Sequence, residues 1–403
     1  MSVVIVGGGH GGASVAMELR RNGYSEPITI VGDEAVLPYQ RPPLSKAWLK
    51  GEVDESGLTL RPLQWYVANN VTLRLGTRVQ SIDRDRRCVT LADGATLQFS
   101  SLVIATGARA RCLTMPGANL DGILMLRTML DADRLKQSMR AGANIVIVGG
   151  GYVGLETAAS ARALGANVTV VEREARVLAR VACMPLSKFF TEVHVSHAVT
   201  FELNASVVRF VGDTHVRGIE LADGRILSCD AAVVGVGAIP NDELAQACGI
   251  ACADGIVVDA HARTSDPHVF AIGDVTRRPL ERYDRQVRLE SVPNALEQAK
   301  HAAAAICGTA VPPAEVPWFW SDQYDLKLQI AGLAFDCQEI VVRGDMATRK
   351  FSLFHLKGDV VEAVEAVNAP VDFMFGKGLI ARRLPIVKEK LADAAVPIRE
   401  TLA

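Results

Sequence analysis

The sequence lacks the features that would place a protein in a membrane or on nucleic acid. No apolar run in its 403 residues approaches the ~20 residues that span a bilayer. Its 43 basic and 45 acidic residues leave a net charge of −2, so no overall positive field exists to attract nucleic acid or an anionic membrane. We therefore expect no nucleic-acid partner and no membrane partner.

Closely spaced cysteines are also missing. Eight cysteines are scattered along the chain without a CxxC or CxxxxC pair. The nearest two, Cys248 and Cys252, have no histidine close enough in sequence to complete a metal site. We expect free thiols, no metal site, no redox cysteine pair and a cytoplasmic location. The N-terminus runs directly into an apolar strand, so we expect no signal or transit peptide.

The sequence does contain one phosphate-binding signature twice, as Gly7-x-Gly9-x-x-Gly12 and Gly149-x-Gly151-x-x-Gly154. Each copy follows an apolar β-branched run and precedes a helical pattern. The first glycine permits a tight turn, the second lets the backbone approach a pyrophosphate, and the third lets the helix pack on the strand. The pyrophosphate then lies at the positive helix N-terminus. We therefore predict two dinucleotide sites.

Acidic residues follow the second strand of each motif. Asp33 and Glu34 come after residues 28–31, and Glu172 comes after residues 168–171. Such acids accept hydrogen bonds from an adenosine ribose. Glu172 would repel the 2′-phosphate of NADP, so the second site favours NADH. Three arginines follow Glu172 within eight residues and weaken that preference.

Other apolar strands end in glycine or Gly-Asp. In open α/β sheets, the carboxyl edge of parallel strands is where ligands bind. The predicted contacts at these strand ends are Ala105, Thr106, Gly107, Gly237, Gly273 and Asp274.

The length and the segment pattern predict the domain organisation. Domains average about 150 residues, so a chain of 403 residues is expected to form two to three of them. From about residue 316 the segments become short and β-like, with a hairpin turn at residues 357–359 and a short helix at 388–394. We expect an α/β fold with two Rossmann-like dinucleotide-binding domains, one inserted in the other, and a C-terminal α+β domain. The expected bounds are 1–110 with 237–315, then 111–236, then 316–403.

Several longer stretches resemble the FAD-dependent, NADH-using ferredoxin reductases that serve bacterial cytochromes P450 and aromatic-ring dioxygenases. The resemblance spans almost the whole chain. The stretches that carry it are residues 41–46, 105–107, 149–156, 271–274, 290–295 and 318–323.

The resemblance implies a glutathione reductase-like arrangement, with FAD at the first glycine turn and NADH at the inserted second one. It assigns FAD contacts to Gly11, Asp33, Lys46, Val79, Arg127, Asp274 and Val292. To these we add Arg41, Val153 and Glu290 as cofactor-binding residues, since each lies in a matching stretch.

Three residues are predicted to be catalytic. The resemblance places Lys46 near the flavin N5 edge, Glu156 in a pair with this lysine where nicotinamide docks, and Trp320 beside the flavin. Simpler interpretations stay open. Lys46 fits a solvated loop, Glu156 is favoured near a helix N-terminus by the dipole alone, and Trp318 with Trp320 has the period of one strand face.

The implied reaction passes a hydride from NADH to the flavin and then single electrons to a [2Fe-2S] ferredoxin. Without redox cysteines, we do not expect disulfide reduction as the exit route, and no cysteine cluster exists to hold an iron–sulfur centre. The ferredoxin must therefore be a separate protein. Because ferredoxins are generally acidic, we expect docking at Arg285 with Arg288, or at Arg382 with Arg383. We expect a monomer or weak homodimer.

Two alternatives remain. A flavoprotein of the same build could reduce rubredoxin, monodehydroascorbate or dioxygen. Another class is a redox-controlled interaction protein, such as the apoptosis-inducing factors. NADH-driven cytochrome c reduction that requires added ferredoxin distinguishes the first interpretation from both.

Overall fold

The computed structural model describes residues 2–403, which form 26 β-strands, 11 α-helices and five short 3-10 helices. The strands are β1 Val3–Val6, β2 Ile28–Val31, β3 Val71–Arg74, β4 Val79–Asp83, β5 Cys88–Leu91, β6 Thr96–Gln98, β7 Ser101–Ile104, β8 Ala108–Ala110, β9 Ile123–Leu124, β10 Asn144–Val148, β11 Asn167–Glu172, β12 Val199–Leu203, β13 Val207–Gly212, β14 Val216–Leu221, β15 Ile226–Ser228, β16 Ala231–Val234, β17 Ala238–Pro240, β18 Ile256–Val257, β19 Val269–Ala271, β20 Thr276–Leu280, β21 Arg285–Val287, β22 Trp318–Gln323, β23 Leu326–Gly332, β24 Glu339–Asp345, β25 Lys350–Lys357 and β26 Val360–Val367.

The helices are α1 His10–Arg21, α2 Ala47–Lys50, α3 Glu55–Leu58, α4 Leu63–Ala68, α5 Met129–Ser138, α6 Tyr152–Ala163, α7 Met184–Ser196, α8 Glu243–Ala247, α9 Val292–Cys307, α10 Pro370–Arg382 and α11 Lys388–Ala392. The 3-10 helices are Pro42–Ser45, Gly273–Val275, Glu281–Tyr283, Met346–Thr348 and Ile398–Thr401. Within residues 2–403, no helix is both long enough and apolar enough to cross a membrane.

The chain folds into two compact units. The first unit comprises the chain up to Gln40, with Glu55–Arg109 and Ile239–Phe319. The second unit comprises Arg41–Asp54, Ala110–Ala238 and Trp320–Ala403.

The first unit is built on a parallel five-stranded sheet with the order β19-β7-β1-β2-β3. Val3 in the central strand lies opposite Ile28 on one side and Ser101 on the other. The β-branched residues of β1 are buried on both faces, as parallel strands require. Helices α1 and α9 pack together over one face of this sheet. The order places the glycine turn after β1 at the carboxyl edge, where Rossmann folds bind dinucleotides.

The second unit contains another parallel sheet, with the order β12-β11-β10-β16-β9. Ile145 lies opposite Val168 and Ala231, so β10 is the central strand that leads into the second glycine turn. The same unit contains the C-terminal sheet, with the order β22-β23-β26-β25-β24. Helix α10 packs against β23 and β26 of that sheet.

These features confirm the predicted fold class, with two Rossmann-like domains and a C-terminal α+β domain. The predicted helix at 388–394 ends at Ala392, and the predicted hairpin turn lies between β25 and β26. The expected domain bounds remain a prediction.

Candidate functional site

The first glycine turn is shaped by close backbone contacts at two of its glycines. Gly7 has a φ of +120°, and a Cβ there would lie 2.2 Å from the Ala105 carbonyl oxygen. A Cβ on Gly12 would lie 1.9 Å from the Gly7 carbonyl oxygen. By contrast, a Cβ on Gly9 would meet no atom within 4 Å. Packing therefore requires the outer glycines, whereas Gly9 borders open space.

The second turn repeats this pattern within the second unit. Gly149 has a φ of +112°, and its Cβ would lie 2.4 Å from the Gly235 carbonyl oxygen. A Cβ on Gly154 would lie 2.2 Å from the Gly149 carbonyl oxygen, while one on Gly151 would meet nothing within 4 Å. The two turns are thus built alike.

Both turns fit a dinucleotide pyrophosphate. Gly9 is the N-cap of α1 and Gly151 is the N-cap of α6, so neither N-cap has a side chain to occupy the first turn. Each helix is 12 residues long, and neither has an acidic residue in its first turn. The first backbone N–H groups and the helix dipole therefore favour an anion in the open space at each N-cap glycine.

The predicted ribose acids have different surroundings. Asp33 is exposed after β2, and Glu34 accepts a hydrogen bond of 2.6 Å from the Tyr39 hydroxyl. Glu172, at the end of β11, accepts from the backbone N–H groups of Gly150 at 2.7 Å and Glu174 at 2.9 Å. The Glu172 carboxylate thus holds the second glycine turn in place and keeps further lone pairs for another donor.

Hydrogen bonds fix the strand ends of the first unit. The Thr106 hydroxyl donates to the Asn241 carbonyl at 2.7 Å, and the Asn241 amide donates back to the Thr106 carbonyl at 2.9 Å. The side-chain oxygen of Gln298 accepts from the Gly273 N–H at 2.8 Å. Asp274 follows Gly273 in a 3-10 helix and is partly exposed. A rigid sheet edge therefore presents the Gly-Asp pair.

In the second unit, the structure brings Lys46 and Glu156 together. The Lys46 ammonium lies 2.6 Å from Oε2 of Glu156. The same carboxylate accepts from the Ser45 hydroxyl at 2.5 Å and from the Ser321 hydroxyl at 2.6 Å. Glu156 is only 5% exposed. A carboxylate buried to this extent needs such donors, because an unpaired charge in the interior is very costly.

Sequence reasoning missed the serines around this carboxylate. Ser45 precedes Lys46, and its carbonyl accepts a hydrogen bond of 2.7 Å from the buried Ser160 hydroxyl one helical turn beyond Glu156. Ser321 follows Trp320 in β22. Each serine is next in sequence to a residue predicted to be catalytic. However, no sequence pattern indicates that such a serine donates a hydrogen bond to a distant carboxylate.

The remaining predicted cofactor residues are distributed over both units. In the first unit, Gly11 faces Ile272, Val79 is buried in the core, and Val292 begins α9. Glu290 is exposed and pairs with Arg288.

In the second unit, the Arg41 guanidinium donates to the Arg127 carbonyl at 2.6 Å, so these two predicted residues are in contact. Val153 is 48% exposed in the first turn of α6. Gly237 is exposed with a φ of +104°, and Trp320 is half-buried. No contact here tests the cofactor role assigned to any of these residues, which stay predictions.

The chain matches the family model for pyridine nucleotide-disulphide oxidoreductases over residues 1–299 and the reductase C-terminal model over residues 318–402. It is 49% identical to the probable ferredoxin reductase CtmF of Castellaniella defragrans over 98% of this chain and 97% of that protein. It is 42% identical to putidaredoxin reductase CamA of Pseudomonas putida over 100% of this chain and 97% of that protein.

The chain belongs to the FAD-dependent ferredoxin reductases of the pyridine nucleotide-disulphide oxidoreductase family. The fold agrees, since the reductase in the covalent putidaredoxin reductase–putidaredoxin complex superimposes with a TM-score of 0.96 at 42% identity, covering 99% of this chain and 97% of that one. At the level of this family, the predictions of an oxidoreductase and of FAD and NADH as cofactors are confirmed.

The matching family model is described as pyridine nucleotide-disulphide oxidoreductase, so the state of the cysteines bears on whether this chain can exchange disulfides. All eight cysteines of this chain are free thiols. Burial raises the pKa of the Cys252 thiol to about 11, and it raises that of Cys248 as well. Neither thiol of this nearest pair is therefore the reactive thiolate that disulfide exchange requires.

Proposed function

We propose that this protein passes electrons from NADH through FAD to a [2Fe-2S] ferredoxin that serves a cytochrome P450 or a ring-hydroxylating dioxygenase. The observation that carries the proposal is the pair of open glycine turns in a chain whose eight cysteines are all free. Two dinucleotide sites without a disulfide relay need an external acceptor. The names of the relatives support a ferredoxin in that role.

We assign FAD to the first glycine turn. In this assignment the pyrophosphate lies at Gly9 and the N-terminus of α1, and the Asp33 carboxylate is available to the ribose. Asp274 would accept hydrogen bonds from the ribityl chain. The other proposed contacts are Gly7, Gly11, Gly12, Glu34, Arg41, Val79, Ala105, Thr106, Gly107, Arg127, Gly273, Glu290 and Val292.

We assign NADH to the second turn, with its pyrophosphate at Gly151 and the N-terminus of α6. Glu172 would accept hydrogen bonds from the adenosine ribose while holding the Gly150 N–H. Its negative charge would repel a 2′-phosphate, and this is the basis for preferring NADH. Val153, Gly154 and Gly237 are proposed to contact the same cofactor.

When bound, FAD accepts a hydride from NADH and releases the two electrons one at a time. The role proposed for Lys46 is electrostatic, because its ammonium favours negative charge developing on a neighbouring group. Glu156 would hold the Lys46 ammonium in one position and temper its charge. Ser45 and Ser321 would keep the Glu156 carboxylate fixed. An indole at Trp320 would pack on a planar ring system.

We further propose a cytoplasmic location, in keeping with the eight free thiols, and a monomer or weak homodimer. A basic surface would receive an acidic ferredoxin. The candidate surfaces are Arg285 with Arg288 and Arg382 with Arg383. Arg285, Arg382 and Arg383 are exposed, and Arg288 is half-buried.

The test is NADH-driven reduction of cytochrome c by the FAD-loaded protein, with and without added [2Fe-2S] ferredoxin. We expect the rate to depend on the ferredoxin and to saturate with it. Rubredoxin in place of ferredoxin and dioxygen alone serve as comparison acceptors. Equally fast NADH oxidation by either of them would contradict the proposal.

A further inference from the structure

Three side chains that could bind a metal meet in the second unit, and the proposed electron transfer uses none of them. Cys183 is the N-cap of α7, His355 lies in β25 and Glu365 lies in β26. The Cys183 thiol donates to Oε2 of Glu365 at 2.8 Å, and Nε2 of His355 lies 3.4 Å from the same oxygen. All three potential ligand atoms lie within 4.8 Å of one another.

The register of two neighbouring strands brings the histidine and the glutamate together. Leu353 of β25 lies opposite Glu365, and His355 lies opposite Ala363. Since alternate residues share a face, His355 and Glu365 are diagonal neighbours on one side of the sheet. The α7 N-terminus reaches the same place, because the Cys183 N–H donates to Oε1 of Glu365 at 3.1 Å.

The buried histidine nitrogen is an independent sign of a ligand. His355 is 5% exposed, and its Nε2 atom has no hydrogen-bond partner. A buried polar nitrogen without a partner destabilises the fold, so such atoms are rare unless a ligand satisfies them. The nitrogen lies beside the thiol and the carboxylate, where a cation bound to all three groups would use its lone pair.

We propose that Cys183, His355 and Glu365 bind a divalent cation, with Zn²⁺ as the best match. Thiolate, imidazole and carboxylate are the ligand types of zinc sites, with metal–ligand distances of about 2.0–2.3 Å. Tetrahedral geometry then separates neighbouring ligands by roughly 3.3–3.7 Å. The 2.8 and 3.4 Å separations to Oε2 need only small side-chain shifts to reach it.

The charges also balance. Binding replaces the Cys183 S–H bond with a sulfur–metal bond and releases that proton to solvent. The resulting thiolate and the Glu365 carboxylate together neutralise a doubly charged ion, and neutral His355 supplies nitrogen. A water molecule can complete the four-coordinate shell.

The site would connect the C-terminal sheet to the segment between β11 and α7. That segment begins after Glu172 and ends at Cys183. Its Arg176 guanidinium donates to the carbonyls of Ala179 and Ala182, both at 2.9 Å, and so holds the segment in a compact shape. A metal ion at Cys183 would fix its far end.

The direct test is a zinc titration of the FAD-loaded protein after dialysis against a chelator. We expect one Zn²⁺ per chain, and we expect Cys183→Ala, His355→Ala and Glu365→Gln each to weaken binding by more than the about 10- to 100-fold that loss of an outer-shell partner costs. Cys112→Ser removes an exposed thiol and is the matched control, which should bind zinc like the wild type. Wild-type affinity in Cys183→Ala or His355→Ala, or no stoichiometric binding by the wild type, would overturn the proposal.

A second measurement needs no variant and so covers the case in which a substitution prevents folding. With Co²⁺ as the probe, a tetrahedral site with a thiolate ligand should give visible bands at wavelengths beyond those of oxidised flavin. The metal should also protect Cys183, but not Cys112, from thiol alkylation mapped by mass spectrometry. Equal alkylation of Cys183 with and without metal would refute the site.

Discussion

The Lys46 ammonium and the Glu156 carboxylate form a buried ion pair with an Nζ–Oε2 distance of 2.6 Å. Their side chains are only 17% and 6% exposed. Removing one partner of such a pair leaves the other charge buried without compensation, which typically costs 3–5 kcal/mol, or about a third of the stability of a domain. A pair this costly to disrupt suits a site where charge must be held at a defined position.

We predict that Glu156→Gln slows flavin reduction by NADH at least about tenfold at saturating NADH. The amide no longer holds the Lys46 ammonium in place or tempers its charge. Anaerobic stopped-flow absorbance of the flavin measures this rate. Glu52→Gln is the control, since Glu52 forms an exposed pair with Lys50. A variant that keeps its flavin and is reduced at the wild-type rate would rule out this role for Glu156.

Gly151→Ala and Gly154→Ala should affect different properties, the first NADH binding and the second thermal stability. The methyl group at position 151 meets nothing within 4 Å and enters the space assigned to the pyrophosphate, so NADH affinity should fall at least about tenfold with Tm unchanged. The methyl group at position 154 would lie 2.2 Å from the Gly149 carbonyl oxygen and should lower Tm. NADH titration and thermal unfolding measure both. If Gly151→Ala binds NADH with wild-type affinity, the assignment of the pyrophosphate to Gly151 is wrong.

Glu172→Ala should raise KM for NADH about tenfold and reduce discrimination against NADPH. The variant loses both the ribose acceptor and the bond that holds the Gly150 N–H. Steady-state kinetics with both nucleotides give the ratio. Glu174→Ala is the control, because its side chain pairs with the adjacent exposed Arg173, and the variant keeps the backbone N–H that donates to Glu172. A ratio of NADH to NADPH specificity equal to that of the wild type would show that Glu172 does not select the cofactor.

His194 should make stability depend on pH. Burial lowers the pKa of His194 to about 4 from its ordinary 6.5, while its Nε2 atom contacts Oε1 of Gln323 at 2.8 Å. In the unfolded chain His194 therefore binds a proton near pH 6.5, whereas in the folded chain it binds one only near pH 4. The contribution of neutral His194 to the free energy of unfolding is complete above pH 6.5. It falls as the pH decreases below that value, by at most about 1.4 kcal/mol per pH unit.

Denaturant unfolding of the FAD-loaded protein between pH 7.5 and pH 5 measures this dependence. His194→Gln should reduce the slope by about one proton. The exposed His261→Gln variant should retain the wild-type slope. An unchanged slope in His194→Gln would contradict the assignment.

Local sequence patterns predicted the parts of the site that depend on neighbours along the chain. The strands before both glycine turns are where the apolar runs indicated, because a buried parallel strand needs a continuous apolar run. The need for glycine at 7 and 149 likewise follows from the tight turn.

Contacts between distant residues had no such signal. Ser45 and Ser321 reach Glu156 across 111 and 165 residues of chain, and a serine pattern does not reveal this. The meeting of Cys183 and Glu365 was missed for the same reason, since a search for closely spaced cysteines cannot detect ligands 182 residues apart. Tertiary structure alone brings these groups together.

The most direct test of the central claim is an anaerobic titration of the FAD-loaded protein with NADH in the presence of oxidised [2Fe-2S] ferredoxin. NADH carries two electrons and each ferredoxin accepts one. The account predicts that two ferredoxins are reduced for each NADH consumed, in a reaction that requires the flavoprotein. If NADH reduces the flavin while ferredoxins of this type stay oxidised, the proposed electron route is contradicted.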